Sequence, residues 1–455
     1  MSHLIKHASA IALGLALAWG TSAQAAEPSQ QQLLDQINSL QAQMNALKAE
    51  VTQQASQIQQ TQPSTSGASD QSDAVADLFR DAEERTQLLQ LESLNAGWSQ
   101  GRFLLQSTDG RYLLHPWFQI QFRNVTNWRE DQKKGNRDDL ENGFEVRRLK
   151  FGFDGNVITT DLAYQLQFAV DRKTGTVQLE MAWAKYHIPT TPFSIRAGQF
   201  KDPLDHEQLL TSKFFVAADR TITNDLFSNA EGFVKGASVV YEGKALHGEV
   251  AFTDGLKGFN EDFRDYPTNT ADWGAAARVE YKVFGDWTDY AHFSALDTKK
   301  NLLVLGGGVD YTESGHAAAL VHVADATFQT KSGLELYGAY LGRATRHLTV
   351  GKVNDNTYDW TARAQASYVF ARRWEPFVQY EFINFDHSEL ASGAQNRVHA
   401  IRAGVNYFLY GHNAKLTGDA TYLPNGLPVN DDSSGALLNN HHNEILARVQ
   451  FQLLL

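Results

Sequence analysis

Cationic side chains recur at alternating positions in runs whose other alternating positions are apolar. A guanidinium group stays charged at physiological pH, and its forked N–H donors match the oxygens of phosphate or carboxylate groups. Cations spaced along a narrow passage lower the barrier for anions and raise their local concentration. The sequence therefore predicts an anion path along one set of alternating positions, namely Arg123, Arg148, Lys150, Arg196, Arg278, Arg363, Arg402 and Arg448.

Acidic residues share these positions and leave a second interpretation open. Glu180, Glu280 and Glu381 alternate in phase with the cations, and residues 201–232 add further carboxylates. A passage with cations on one wall and carboxylates opposite has a transverse field and only weak selectivity. The residues alone are therefore compatible with an anion-preferring passage and with a weakly selective one.

The sequence gives little support to catalysis or metal binding. It has no cysteine, and no Ser–His pairing can be recognised from the sequence. The adjacent His441 and His442 would point in different directions on a strand, which makes a poor metal site. Gly306, Gly307 and Gly308 interrupt a predicted strand, where glycines ease a bend or close packing. We therefore predict no catalytic residue, no metal site and no cofactor. The excess of 52 acidic over 40 basic residues argues against a nucleic-acid partner.

The elements that must position the cations are β-strands. In WFQIQFR, Phe118, Ile120 and Phe122 alternate with Gln119 and other polar residues, and similar alternation continues to the end of the chain. The apolar face is thin, often alanine, and aromatic residues cluster near strand ends. This pattern suits a wall with lipid outside and water inside. A soluble β-rich domain is the alternative.

The length of the strand region sets the size of the predicted barrel. Residues 98–455 provide enough chain for about 16 antiparallel strands with their connections, as in a barrel with an open lumen. Short connections are expected at 157–160 and 371–373, and long ones at 129–142, 254–271 and 423–444. The fold class is therefore an all-β transmembrane barrel of about 16 antiparallel strands.

One long connection differs from the others. Residues 201–232 follow a predicted strand and mix charged residues with Leu209, Leu210, Phe214 and Phe215. We expect this segment to fold into the lumen, with its apolar residues against the inner wall. The predicted cations of the pore constriction are Lys201, Lys213 and Arg220. An external loop that only caps the mouth is the alternative.

The first 97 residues differ from the strand region in composition and in hydrophobic period. Residues 1–25 read as a secretory signal peptide, with Lys6, an apolar run and Ala23-Gln24-Ala25. Residues 26–61 carry an apolar seam that repeats every 3.5 residues, which predicts an α-helical coiled coil; a lone amphipathic helix is the alternative. Residues 62–97 are predicted as a polar linker and a second helix. The barrel would then begin at residue 98.

The order of the strand motifs resembles the phosphate- and polyphosphate-selective porin family (porin O/P type). The resemblance lies in RRLKFGFDGNV, AYQLQFAVD, AWAKYHI and, as its most specific part, GQFKDPLDHEQLLTS at 198–212. It implies a homotrimer of 16-stranded barrels in the outer membrane, a third loop that enters the lumen, and cations that pass anions towards a narrow zone. The chain departs from the family at Asp205, where glycine is usual, and at its final Leu455.

These observations together predict an outer-membrane porin of a Gram-negative bacterium that passes small hydrophilic solutes passively. Its expected permeants are small anions such as phosphate or polyphosphate, and its barrel contacts outer-membrane lipid. The N-terminal extension would lie in the periplasm. The alternatives are a weakly selective general porin and a structural barrel tethered to the cell wall through peptidoglycan contact of the coiled coil.

Overall fold

The computed structural model describes the strand-rich part of the chain. The described residues are 94–99, 102–130, 139–228, 232–256, 271–314, 317–347, 356–386, 388, 390, 393–429, 431, 433–439 and 441–455. The predicted signal peptide, the predicted coiled coil and most of the predicted linker and helix lie outside these residues.

The described residues form eighteen strands with short helices between some of them. The strands are β1 (Leu94–Ser99), β2 (Arg102–Ser107), β3 (Leu113–Arg129), β4 (Leu140–Asn156), β5 (Leu162–Val170), β6 (Val177–His187), β7 (Phe193–Lys201), β8 (Phe233–Glu242), β9 (Leu246–Thr253), β10 (Trp273–Phe284), β11 (Leu302–Ser314), β12 (Ala317–Gln329), β13 (Leu334–His347), β14 (Asn356–Tyr368), β15 (Trp374–Asn384), β16 (Arg397–Tyr410), β17 (Ala414–Leu423) and β18 (Glu444–Leu454). The helices are His206–Leu209, Ile222–Phe227 and Trp287–Tyr290, with a 3₁₀ turn at Ser212–Phe214. No helix in the described part of the chain is long and apolar enough to cross a membrane.

Strands β3 to β18 close into one antiparallel barrel. Each pairs with its neighbour in the sequence, and β18 pairs with β3 from Glu444 opposite Arg129 to Leu454 opposite Gln119. The sixteen strands of this barrel confirm the predicted barrel of about 16 antiparallel strands. Strands β1 and β2 form a separate hairpin that pairs with β3 only at Leu105 and Gln106.

One predicted boundary is corrected by the hairpin. We predicted residues 62–97 as linker and helix, but Leu94–Ser99 form strand β1 opposite Arg102–Ser107. The backbone of 94–97 is extended because its hydrogen-bonding groups pair with β2. The described strand region therefore begins four residues earlier than predicted.

The two faces of the barrel wall have opposite chemistry. On β3, Phe122 is 43% exposed on the outside, whereas the neighbouring Arg123 is 0% exposed on the inside. The same alternation on β14 leaves Tyr358 exposed and Asp359 and Arg363 buried. An outer face of exposed apolar and aromatic residues matches a lipid-facing barrel wall.

The connections at one end of the barrel are mostly longer than those at the other end. Those after β3, β7, β9, β15 and β17 are long, whereas the turns after β4, β6, β8, β12, β14 and β16 are short, including the predicted turns at 157–160 and 371–373. The exception on the short-turn side is the segment 285–301. Its Tyr290 and Phe293 are buried inside the barrel, where Phe293 contacts Tyr337 of β13 with ring centroids 4.5 Å apart.

Candidate functional site

The segment 202–228 runs inside the barrel, as predicted for the inserted loop. Leu210 and Phe215 are buried and pack with Leu204, Ile222 and other apolar residues in one cluster that extends to the inner wall of β12–β18. This cluster fills one side of the lumen. The partly exposed residues of the segment are Leu209, Thr211, Lys213, Phe214, Arg220 and Leu226. A loop that only caps the mouth is therefore the wrong alternative for this part of the chain.

Asp219 ties the inserted segment to the wall through three arginines. Its carboxylate accepts hydrogen bonds from Arg123 Nη1 at 2.9 Å, Arg147 Nε at 2.6 Å and Arg148 Nη2 at 2.5 Å. Burial would raise the pKa of Asp219, but the cations of Arg147, Arg148 and Arg123 hold that pKa well below its usual value. Asp219 is therefore an anionic anchor enclosed by the cations of β3 and β4.

A β-bulge explains why two adjacent arginines both point inward. Gln121 pairs with Arg148 and Phe122 pairs with Val146, so Arg147 is an extra residue on β4. A bulge of this kind re-aims a side chain that strict alternation would place on the other face. Alternation alone predicts that Arg147 faces lipid. The charge of Arg147 was the sequence signal for an inward orientation, because a guanidinium group on the lipid face destabilises the barrel.

The other guanidinium groups at the loop–wall contact are also ion-paired. Arg363 forms ion pairs with Asp205 and Glu207, and Arg448 forms one with Asp419. Arg278 forms ion pairs with Asp325 and Glu280. Arg402 donates hydrogen bonds to backbone carbonyls of the loop, and the Glu381 carboxylate lies 3.9 Å from it. The side chains of the five most enclosed predicted wall cations are at most 3% exposed; these are Arg123, Arg278, Arg363, Arg402 and Arg448. Their placement differs from the predicted anion path, because the inserted segment covers them.

Two cavities lie between the inserted segment and the wall of β3–β8. The first, here the short-turn cavity, has a volume of about 280 Å³ and extends towards the short turns. The second, here the long-loop cavity, has a volume of about 290 Å³ and reaches the connection after β5. Lys150 and Arg220 line both cavities, so these two side chains stand at the junction.

Cations predominate on the walls of the two cavities. The cations are Arg147, Arg148, Lys150, Arg172, Lys173, Arg196, Lys201, Lys213 and Arg220. The carboxylates are Asp154, Asp171 and Glu180. Three of the predicted wall residues line these two cavities, namely Arg148, Lys150 and Arg196. Arg148 is paired with Asp219, Lys150 with Glu180 at 2.6 Å, and Arg196 with Glu249.

The three predicted constriction residues line the short-turn cavity together. Lys201 Nζ donates to the backbone oxygens of Leu209 and Leu210 at 3.1 and 2.6 Å. Lys213 lies near the rings of Trp117 and Phe214, and Arg220 lies over Phe215. Within the described residues, none of the three forms an ion pair with a carboxylate. Every predicted wall cation, by contrast, has a carboxylate within 4 Å.

Burial affects the charge of Lys213. Lys213 has its pKa lowered from the usual 10.5, first by burial and then by the nearby cation of Arg102, while Asp154 acts in the opposite direction. A lysine whose charge is only weakly balanced by protein groups retains the capacity to attract an anion. The short-turn cavity can therefore bind a small anion through Lys201, Lys213 and Arg220.

Comparison with protein families identifies the segment that carries these cations. Residues 118–254 match the family model described as phosphate-selective porin O and P. The predicted resemblance is therefore confirmed, and the matched segment includes all the cations on the cavity walls, the constriction residues among them. A comparison with curated protein sequences gives no significant match.

Solved structures of similar fold are bacterial porins. An anion-selective porin from Comamonas acidovorans is 11% identical, with a TM-score of 0.53 and coverage of 75% of this chain and 99% of that chain. OprB of Pseudomonas putida is 10% identical, with a TM-score of 0.52 and coverage of 75% and 94%. OmpT of Vibrio cholerae in its trimer form is 13% identical, with a TM-score of 0.50 and coverage of 74% and 99%. At these identities the likeness shows the fold alone.

The closed barrel, its inserted segment and the family match define the class of this protein. It is an outer-membrane porin of a Gram-negative bacterium, and its architecture is that of a channel. Its segment 118–254 is similar to the phosphate-selective porins O and P.

Proposed function

We propose that this porin passes small anions in preference to cations, by passive diffusion along the two adjacent cavities. The observation that carries the proposal is the group formed by Lys201, Lys213 and Arg220. These cations line one cavity and have no carboxylate partner in the described residues. An unpaired cation in a confined passage lowers the entry barrier for an anion.

The paired cations have a different role in this proposal. A guanidinium enclosed with a carboxylate has little net charge to offer to a permeant. Arg363 and Arg278 bond the inserted segment directly. Arg448 bonds Asp419, whose carboxylate accepts a hydrogen bond from the Ala218 N–H of the segment. The permeant meets the other cations that line the cavities in turn, from Lys173 through Arg220 to Lys201 and Lys213. Several moderate sites allow conduction, whereas one deep site would retain the ion.

The identity of the favoured anion and the assembly extend the proposal. Phosphate or polyphosphate is the expected permeant, supported by the family match over 118–254 and by the forked donors of Arg220. A homotrimer is supported by the trimer form of the OmpT structure of similar fold. The N-terminal extension is proposed to lie in the periplasm as a coiled coil and to contact peptidoglycan.

Planar-bilayer recordings of the purified full-length protein test this function. Under a potassium chloride gradient, we expect a reversal potential of the sign that marks chloride as the more permeant ion. Added phosphate should reduce the chloride current by competing for the same cations. A reversal potential near zero would indicate a weakly selective porin, and a barrel without conductance would indicate a structural role; either result would overturn the proposal.

A further inference from the structure

Two tryptophans interrupt the polar lining of the short-turn cavity. Trp117 on β3 and Trp183 on β6 point into the lumen, on the same face as Gln119 and Lys185. Both are partly exposed and both line the cavity, together with Met181 and Phe233. An inorganic anion gains nothing from these apolar groups, because it needs only hydrogen-bond donors and positive charge.

The backbone beneath Trp117 is adapted to the indole ring. Gly152 of β4 stands opposite Trp117 in the sheet register. A Cβ atom at Gly152 would lie 2.8 Å from the indole Cζ2 atom and 2.3 Å from the Leu166 carbonyl oxygen. Only glycine leaves room for the ring at this point of the wall. The neighbouring strand thus holds the indole in place while the ring still lines the cavity.

Cations stand beside both indole rings. Lys213 Nζ lies 5.4 Å from the Trp117 ring centroid, and the Arg196 guanidinium lies 6.0 Å from the Trp183 ring centroid. Amide groups of Gln119, Gln165 and Gln167 complete the wall. The cavity therefore combines an aromatic surface, positive charge and neutral hydrogen-bonding groups at short range.

The cavity is also large enough for more than a bare ion. Its volume of about 280 Å³ is close to the lower end of the range of about 300–1,000 Å³ that small-molecule sites occupy. Such sites are usually lined by apolar and aromatic side chains with a few polar groups that fix the ligand's orientation. A single inorganic phosphate would not cover the tryptophan surfaces that line the cavity.

We propose that the short-turn cavity is a binding site for small organic anions that carry a ring. The anionic head would contact Lys201, Lys213 and Arg220, and the ring would stack on Trp117 or Trp183. Stacking of a planar ring on an aromatic side chain strengthens binding by about tenfold or more per ring. This inference rests on the proposed anion preference and narrows its substrate class.

Current block by two phosphate monoesters tests the inference. Phenyl phosphate and methyl phosphate carry the same head group, and only the first has a ring. In the wild-type channel we expect phenyl phosphate to block the chloride current at about tenfold lower concentration than methyl phosphate. In the double variant Trp117→Leu/Trp183→Leu the two concentrations should become equal, while block by methyl phosphate stays unchanged.

Matched controls make each result decisive. Trp273→Leu/Trp374→Leu removes two tryptophans that are 38% and 42% exposed on the outer face, and this variant should keep the tenfold ratio. The single variants Trp117→Leu and Trp183→Leu replace the double variant if it fails to fold. Equal block by both esters in the wild type, or an unchanged ratio in the cavity variants, would overturn the inference.

The same recordings separate this inference from the proposed function. If the wild-type reversal potential shows no anion preference, the proposed function fails. If the channel prefers anions but does not distinguish the two esters, only the ring-binding site fails.

Discussion

Arg363 of the barrel wall and Asp205 of the inserted segment form a buried ion pair. Arg363 Nη2 lies 2.6 Å from Oδ1 and 2.7 Å from Oδ2 of Asp205, and neither side chain is more than 2% exposed. The resemblance to the phosphate- and polyphosphate-selective porins implies glycine at this position, whereas this chain has Asp205. Its charge is matched by Arg363, and Asp205 lines neither cavity, so this departure adds no carboxylate to the cavity walls.

Breaking this pair should loosen the inserted segment. A buried charge left without its partner typically costs about 3–5 kcal/mol. We expect Asp205→Ala and Arg363→Met each to lower the free energy of unfolding by about that amount, and the double variant by less than the sum. Urea unfolding in detergent micelles, followed by tryptophan fluorescence, measures the effect. The exposed Asp109→Ala is the control, and single variants as stable as that control would contradict the prediction.

The loop backbone approaches the barrel wall closely at Gly308 of β11. A Cβ atom at Gly308 would lie 2.1 Å from the Leu204 carbonyl oxygen, which also accepts a hydrogen bond from Arg278. We expect Gly308→Ala to displace Leu204, to lower the free energy of unfolding by about 1–3 kcal/mol and to increase single-channel current noise.

Gly307 provides the matched control for this substitution. At Gly307 the nearest atom to a new Cβ would be the Val323 carbonyl oxygen at 3.6 Å, an ordinary contact. Gly307→Ala should therefore leave stability and current noise unchanged. If the two alanine variants behave alike, the close approach at Leu204 does not position the loop.

Asp202 predicts a pH dependence of stability. Its side chain is buried, and neither carboxylate oxygen has a hydrogen-bond partner in the described residues. Burial, and then the carboxylates of Asp310 and Glu249, raise its pKa well above the usual 3.8, while Arg196 acts in the opposite direction. The folded protein therefore binds this proton more tightly than the unfolded chain. The stability that results is present below pH 3.8 and is lost as the pH rises through the raised pKa.

Substitution by the neutral isostere tests this sign. Asp202→Asn should be more stable than the wild type at pH 8, by about 1–3 kcal/mol, and equally stable at low pH. Urea unfolding at a series of pH values gives the comparison, with the exposed Asp109→Asn as control. A variant that is less stable than the wild type at pH 8 would show that Asp202 is needed as a carboxylate.

Alternation in the sequence was enough to predict the wall and its two faces. The exposed Phe122 and the buried Arg123 follow directly from the period of two in a strand. Lys201, Lys213 and Arg220 were found because the alternation stops after Phe200. The inward phase of Trp117 and Trp183 could have been read in the same way, since they alternate with lipid-facing residues.

The pairing of the cations could not be predicted in this way. Whether Arg363 faces water or Asp205 depends on where a loop 158 residues earlier in the chain packs. The inward direction of Arg147 depends on a bulge, which shifts the phase by one residue. The insertion of Phe293 from the short-turn side depends on its packing against Tyr337. The local sequence pattern around Phe293 does not predict this contact.

The central claim is that three unpaired cations in one cavity set the ion preference. The most direct test compares reversal potentials of Lys201→Gln/Lys213→Gln/Arg220→Gln with those of Arg111→Gln/Lys300→Gln/Arg372→Gln, which removes the same formal charge from side chains that are 66–79% exposed. We predict that the cavity variant loses its preference for chloride over potassium and that the surface variant keeps it. Equal reversal potentials in the two variants would contradict the claim.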